Sequence, residues 1–236
     1  MLQRFRLDRP LGAVYLLLGL AACHGAPGPL APKGLAPVGP EVVQGWVAPT
    51  TPSQPIMYRF KWLYQDEQAA KGGRGTVRLV PPDSLRFDFA GSLGIGKGSA
   101  AVVGDSALWV VPDRSVDELV PGVSLLWAIL GVAQPAPGGA ELRGVKTADG
   151  AAWQYVQGGD TTTYVRSTGS GSTLSAEVRR GGKVLGRATV TVRADGTPVE
   201  ARLTVPTVPS KLEITFYASV PTAQFPPDIW ARPSEP

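Results

Sequence analysis

Cysteine and histidine are almost missing from this chain of 236 residues: it has one of each, Cys23 and His24. A lone cysteine cannot form an intrachain disulfide, so packing alone must hold the fold. A lone histidine, next to that cysteine, leaves no candidate for a Ser-His-Asp triad, a Cys-His pair or a metal site of histidine and cysteine. Charge is also scarce, at 18% of residues against the usual quarter or so. The lysines and arginines form no run and no basic stripe interleaved with aromatics, so nothing points to nucleic acid. Aspartates and glutamates are scattered and read as solvated strand faces and turn residues rather than as an acid/base pair. No apolar run approaches the ~20 residues of a membrane-spanning helix. The expectation is a non-enzymatic protein with no cofactor.

What the chain does have is glycine (29), proline (23) and 43% apolar residues, the composition of a β-rich exported protein with many turns. Its beginning reads as a targeting segment. "MLQRFRLDRP" sets Arg4, Arg6 and Arg9 against Asp8, and the twelve apolar residues "LGAVYLLLGLAA" follow. "LAAC", Leu20 to Cys23, then resembles the bacterial lipobox, whose cysteine becomes the lipidated first residue of the mature chain. This gives a lipoprotein-type signal peptide over 1–22 and lipidation at Cys23. Removing three Arg and one Asp lowers the net charge from +4 to +2, so part of the basicity belongs to the leader. His24 follows the cysteine where a membrane-retention signal would place Asp, which implies the outer membrane, facing the periplasm.

Residues 23–55 read as a Pro/Gly-rich linker on that anchor, an extended tether with a possible short helix over Pro40–Ala48. From Ile56 the pattern changes to period two. Tyr58, Phe60, Trp62 and Tyr64 alternate with Arg59, Lys61 and Gln65, and Leu85, Phe87 and Phe89 alternate with Arg86 and Asp88. Gly181-Gly182 and Asp195-Gly196 are hairpin signals. About ten or eleven short strands at regular spacing predict one antiparallel domain over 56–236, rolled into a sandwich or barrel. One segment breaks the pattern. "GVSLLWAILGV", bounded by Pro121 and Gly131, is apolar nearly all round, so its helix must be buried or meet lipid. It plugs the end of a barrel or forms a lid over a cavity.

The stretch "FAGSLGIGKGSA" invites a phosphate-loop reading, with Gly91, Gly96 and Lys97 spaced as in G-x-x-x-x-G-K-[ST]. Such a loop needs a helix behind it, whose N-terminus holds the phosphate. Here Gly98 stands where the hydroxyl belongs, and the following residues resume a strand pattern at Gly104-Asp105. The predicted element is a glycine-rich turn or bulge between antiparallel strands.

In order along the chain, "PPDSLRFD", Leu93-Gly94, "DSALWVVP" (Asp105, Leu108, Trp109, Pro112), the "LLWAILG" run with Pro135, and "FPPDIW" are similar to the LolA/LolB-like periplasmic lipoprotein-carrier superfamily. The matching residues in the first part are Pro82, Leu85, Arg86 and Asp88. The resemblance implies a mainly β fold: a curved antiparallel half-barrel with a few helices capping the concave face. It also implies a hydrophobic cavity for lipid or lipoprotein acyl chains. The candidate lining is Phe60, Trp62, Phe87, Phe89, Trp109 and Phe216, with Leu125, Leu126, Ile129 and Leu130 on the lid. Expected partners are acyl chains, the membrane through the N-terminal anchor, and other envelope proteins. An interaction or scaffolding domain on the same fold is the alternative.

Overall fold

The computed structural model describes residues 28–92, 97–112, 120–169 and 171–233. The expected leader 1–22, Cys23, and the Leu93-Gly94 marker lie outside the described residues. In chain order the elements begin with β1 (Ala36–Pro37), α1 (Pro40–Val47), a 3-10 turn (Ala48–Thr50), β2 (Ile56–Gln65), β3 (Ala70–Val80) and β4 (Ser84–Gly91). They continue with β5 (Lys97–Val103), β6 (Ser106–Val111), α2 (Val123–Ala128), β7 (Glu141–Thr147) and β8 (Gly150–Gln157). The chain closes with β9 (Asp160–Ser167), β10 (Thr173–Arg180), β11 (Lys183–Val192), β12 (Pro198–Val205), β13 (Ser210–Pro221) and a 3-10 turn (Pro227–Trp230).

All strands join one antiparallel sheet in the order β1-β7-β8-β9-β10-β11-β12-β13-β2-β3-β4-β5-β6. The described residues hold thirteen strands, more than the sequence pattern counts. The excess has a plain cause. β1 is a two-residue strand inside the proline-rich stretch, paired Ala36 to Gly144 and Pro37 to Arg143, and two residues carry no alternation to read. Gly181-Gly182 joins β10 to β11 with both glycines at positive φ, 54° and 79°, as a tight primed turn requires. Asp195 and Gly196 turn β11 into β12.

The sheet is open, because β1 and β6 have no partner beyond them, and it is curled. The curl shows in what α2 touches. The helix packs on β10 and β11, yet its Trp127 Nε1 donates to the carbonyl of Gly104, in the β5–β6 turn, at 3.0 Å. Strands that far apart in sheet order meet one short helix only if the sheet bends round it. The architecture is the half-barrel that the motif resemblance implies, with helical segments on its concave side.

The core is the filling of that concavity. Tyr58, Phe60, Val77, Leu79, Leu85, Phe87, Ala176, Val190, Leu203 and Ile214 face inward from the strands, and Leu125 to Leu130 meet them from above. Close approach is bought with glycine. A Cβ on Gly186 of β11 would lie 2.6 Å from Leu125 Cδ1, so the helix rests on bare backbone there. Residues 36–50, within the expected tether, also pack on the sheet: Val43 and Val47 of α1 are buried, and Trp46 lies 6.0 Å from Trp153.

Gly75 is the second such seat. A Cβ there would lie 2.3 Å from Phe60 Cζ and 2.9 Å from the Asp88 carbonyl, so neither ring nor neighbouring strand has room for it. Gly75→Ala is expected to cost about 1–3 kcal/mol as an overpacked core site, read as a lower urea midpoint with unchanged slope.

Candidate functional site

The concave face is built by strand register. Phe60 stands opposite both Phe216 on β13 and Gly75 on β3; Gly75 stands opposite Phe89 on β4, and Phe89 opposite Gly98 on β5. Residues opposite one another share a face, so these side chains line one surface. Their rings touch. Phe60 lies 6.1 Å from Phe87 and 5.9 Å from Phe216, Tyr58 lies 5.8 Å from Phe216, and Trp62 meets Phe89 edge-on at 5.9 Å. Phe60, Phe87 and Phe216 are buried, while Trp62 and Phe89 are half-buried towards the end of the sheet. Gly98 sits beneath the Phe89 ring, 2.2 Å from Cζ to where its Cβ would be. The glycine-rich stretch therefore runs from one antiparallel strand into the next, and Lys97 begins β5 rather than a helix.

Leu125, Leu126, Ile129 and Leu130 are all buried in and just after α2. Gly122 at φ 102° and Gly131 at φ 83° bracket them. Nine of the ten sequence-predicted lining residues thus face the interior from the sheet or the helical segment. Trp109 does not. It pairs with Ala101, which pairs with Arg86, and so belongs to the opposite, convex face. The bulge between Ala101 and Val102 shifts the alternation in this hairpin, which the sequence pattern does not reveal.

The interior is filled by side chains. Two clefts open at the surface, of about 180 Å³ beside Trp46, Lys146 and Arg166 and about 200 Å³ beside Arg193, Phe216 and Tyr217. Both fall short of the ~300–1,000 Å³ usual for small-molecule pockets. Among the described residues, packed side chains cover the concave face under α2. The polar contacts that hold it are few. Gly104 O accepts from Trp127 Nε1 at 3.0 Å and from Gln134 Nε2 at 2.6 Å. The Tyr155 hydroxyl donates to Gln134 O at 3.0 Å, and Gln134 N–H donates to the Tyr164 hydroxyl at 3.3 Å. Burial pushes both tyrosine hydroxyls well up from their ordinary value, so they stay protonated. Trp153, Tyr155, Tyr164 and Gln134 were not singled out by sequence reasoning; the alternation of Trp153 and Tyr155 in "AWQYVQ" is the signal that could have found the first two.

The convex face carries a second cluster. Asp88 accepts from Arg78 at 2.5 Å, from Arg86 Nη2 at 2.9 Å and from Ser99 at 2.8 Å. Arg86 reaches on to Ile229 O and lies 5.2 Å over the Trp109 ring, whose Nε1 donates to Trp230 O at 2.8 Å. Arg86, Asp88, Trp109 and the "FPPDIW" end, which the sequence holds far apart, make one clasp that fastens the C-terminal turn. Among the described residues, no group of three or more metal-ligating side chains occurs, and no helix is long and apolar enough to cross a membrane.

No family model matches the chain, and no curated relative does. Solved structures similar to it include a LolA superfamily protein from Nitrosomonas europaea, with 13% identity and a TM-score of 0.49, covering 83% of this chain and 98% of that one. An outer membrane lipoprotein-sorting protein domain from Vibrio parahaemolyticus has 8% identity and a TM-score of 0.38, covering 82% and 96%. MucB has 13% identity and a TM-score of 0.38, covering 83% and 64%. Likeness this distant carries no residue-by-residue correspondence.

Burial works against the charge of Asp88, but hydrogen bonds from Arg86 and Ser99 and the charges of Arg86 and Arg78 outweigh it and hold the carboxyl below its usual range. A depressed carboxyl stabilises the fold above its unfolded value, about 3.9, and that contribution is lost as pH falls through the folded one. Asp88→Asn is therefore expected to lower the melting temperature at neutral pH. The gap to the parent should narrow progressively below about pH 4; a gap independent of pH would refute the charge-based account.

Proposed function

We propose that the chain is a lipid-anchored protein of the bacterial envelope that takes up acyl chains of lipids or lipoproteins between α2 and the inner face of its sheet. The supporting observation is the plug itself: a segment apolar on every side, seated on an aromatic concave surface and bracketed by glycines at positive φ. The magnitudes suit an exchange. Burying four large aliphatic side chains is worth about 6–12 kcal/mol, and an acyl chain of about fifteen methylenes offers about 12 kcal/mol. Plug and ligand are then near-equal competitors for one surface. The lining comprises Phe60, Trp62, Phe87, Phe89 and Phe216 on the sheet, with Leu125, Leu126, Ile129 and Leu130 on the plug; Trp109 is left out. Cys23 carries the anchor, His24 after it favours the outer membrane, and no catalytic step is assigned.

A second reading, an interaction domain without lipid cargo, is favoured by the packed interior and by β6, an edge strand whose Leu108 is 57% exposed.

The two part on lipid binding. Under the first, a delipidated preparation takes up a fluorescent fatty acid at one site per chain. Gln134→Ala, which removes one of the two donors to Gly104, speeds that uptake. Stopped-flow fluorescence showing no uptake by either form would decide for the interaction domain. The anchor has its own test. Cys23→Ser is expected to leave the precursor uncleaved and without lipid label in cells fed labelled palmitate, whereas a processed, soluble product would sink the claim.

A further inference from the structure

Two cations stand on the inner face of the sheet without an ion pair. In register, Lys146 on β7 lies opposite Ala151 on β8, and Ala151 lies opposite Arg166 on β9. Arg166 is in turn opposite Leu174 on β10, and Leu174 is opposite Val190 on β11. Residues opposite one another share a face, and Leu174 and Val190 are buried in the core. Lys146 and Arg166 therefore belong to the concave face, at one end of a cross-strand row that is aliphatic further along. Among the described residues, no hydrogen bond or salt bridge takes up either side chain. Arg166 is half-buried all the same. A guanidinium that has given up part of its hydration gains from an anionic partner.

The cleft of about 180 Å³ lies at this pair, and Trp46 of α1 and Thr168 help to wall it. Ala151, between the two cations in the row, fills little of it. The Trp46 ring seats on Gly144, two residues before Lys146, where a Cβ would lie 2.4 Å from Cζ3. Asp149, the carboxylate of the β7–β8 turn, is not among the lining residues. The cleft also borders the plug. Ala133 N–H, just after α2, donates to the hydroxyl of Thr50, in the 3-10 turn after α1, at 2.9 Å. The Cα atoms of Lys146 and Arg166 are two strand spacings apart, about 10 Å, so both long side chains can reach one anion between them. The guanidinium forks onto two oxygens of a carboxylate or phosphate, and the ammonium adds a point charge. A cleft of this size holds such a group but not a whole lipid.

We propose that Lys146 and Arg166 hold the carboxylate or phosphate headgroup of an acyl ligand. Trp46 lies against its first methylenes, and its chain runs along the row towards Leu174 and Val190. This rests on the reading that acyl chains enter between α2 and the sheet. It narrows the ligand class to anionic amphiphiles.

The test titrates the full chain by calorimetry with decanoate, decyl phosphate, decanol and inorganic phosphate, the amphiphiles below the concentrations at which they form micelles. At least one anionic amphiphile is expected to bind about tenfold more tightly than decanol, as charged hydrogen bonds allow. The tighter of the two identifies the headgroup. Lys146→Gln and Arg166→Gln should each remove most of that advantage while leaving decanol affinity and the melting temperature unchanged. Arg166→Lys, which keeps the charge and loses the fork, should retain part of it. Equal affinity for decanol and the anionic amphiphiles, an advantage that survives both Gln variants, or variants that lose decanol to the same degree overturns the headgroup site and leaves acyl uptake standing. Phosphate bound without any amphiphile makes the cleft a free-anion site and overturns the link to a chain. No binding of any probe overturns headgroup site and acyl uptake together.

Discussion

The structure depends on burying α2 in the curl of the sheet. Thirteen strands with two free edges do not close on themselves, so closure cannot fix the curvature. What fixes it is the apolar segment on the concave side, which packs on β10 and β11 while bonding to the turn between β5 and β6. Each side supplies what the other lacks. The inner face of the sheet is a run of aromatic and aliphatic side chains that water would meet if nothing covered it. The helix is too short to be stable alone in water, and its side chains have no polar face to turn outward. The glycines fit the same scheme: Gly186 admits Leu125 to the backbone of β11, and Gly75 and Gly98 admit the rings of Phe60 and Phe89 to the backbones of β3 and β5.

The convex face follows a different rule. Its ion pairs organise segments rather than fill space. Asp88 gathers Arg78 and Arg86 from neighbouring strands, and Arg86 passes the link to the C-terminal turn. Glu177 gathers Arg179 and Arg187, and Arg187 passes the link to the backbone carbonyl of Gly28. Both ends of the described chain are tied to the outside of the half-barrel in this way, by a carboxylate that fixes a guanidinium whose free donors reach a backbone carbonyl. The arginine fork makes the relay possible, since one planar group serves both partners. The residues most like a signature in the sequence, Arg86, Asp88 and Trp109, thus owe their order to fastening and not to a cargo surface.

Alternation made the sheet legible. In β2 and β4 the aromatics at every second position mark the inner face, and the register confirms that Phe60, Phe87, Phe89 and Phe216 share it. The apolar run after Pro121 was legible as a buried helix because no face of it was polar. Trp109 was misplaced because one extra residue in the β5–β6 hairpin inverts the faces, and a bulge leaves no mark on composition. Gln134, Tyr155 and Tyr164 were not legible as a group. Their contacts join residues brought together only by the curl.

The proline-rich N-terminal stretch shows the limit most clearly. Pro and Gly density reports that a segment has little regular structure of its own, and it says nothing about what the segment can lean on. Here residues 36–50 lean on an existing sheet: β1 adds to its edge, and α1 buries Val43 and Val47 and sets Trp46 beside Trp153. A chain with few donors suits that role, since a docked segment must either satisfy its backbone groups or leave them facing water. The same economy applies to α2. Its few polar contacts leave burial of apolar surface as the main force that holds it.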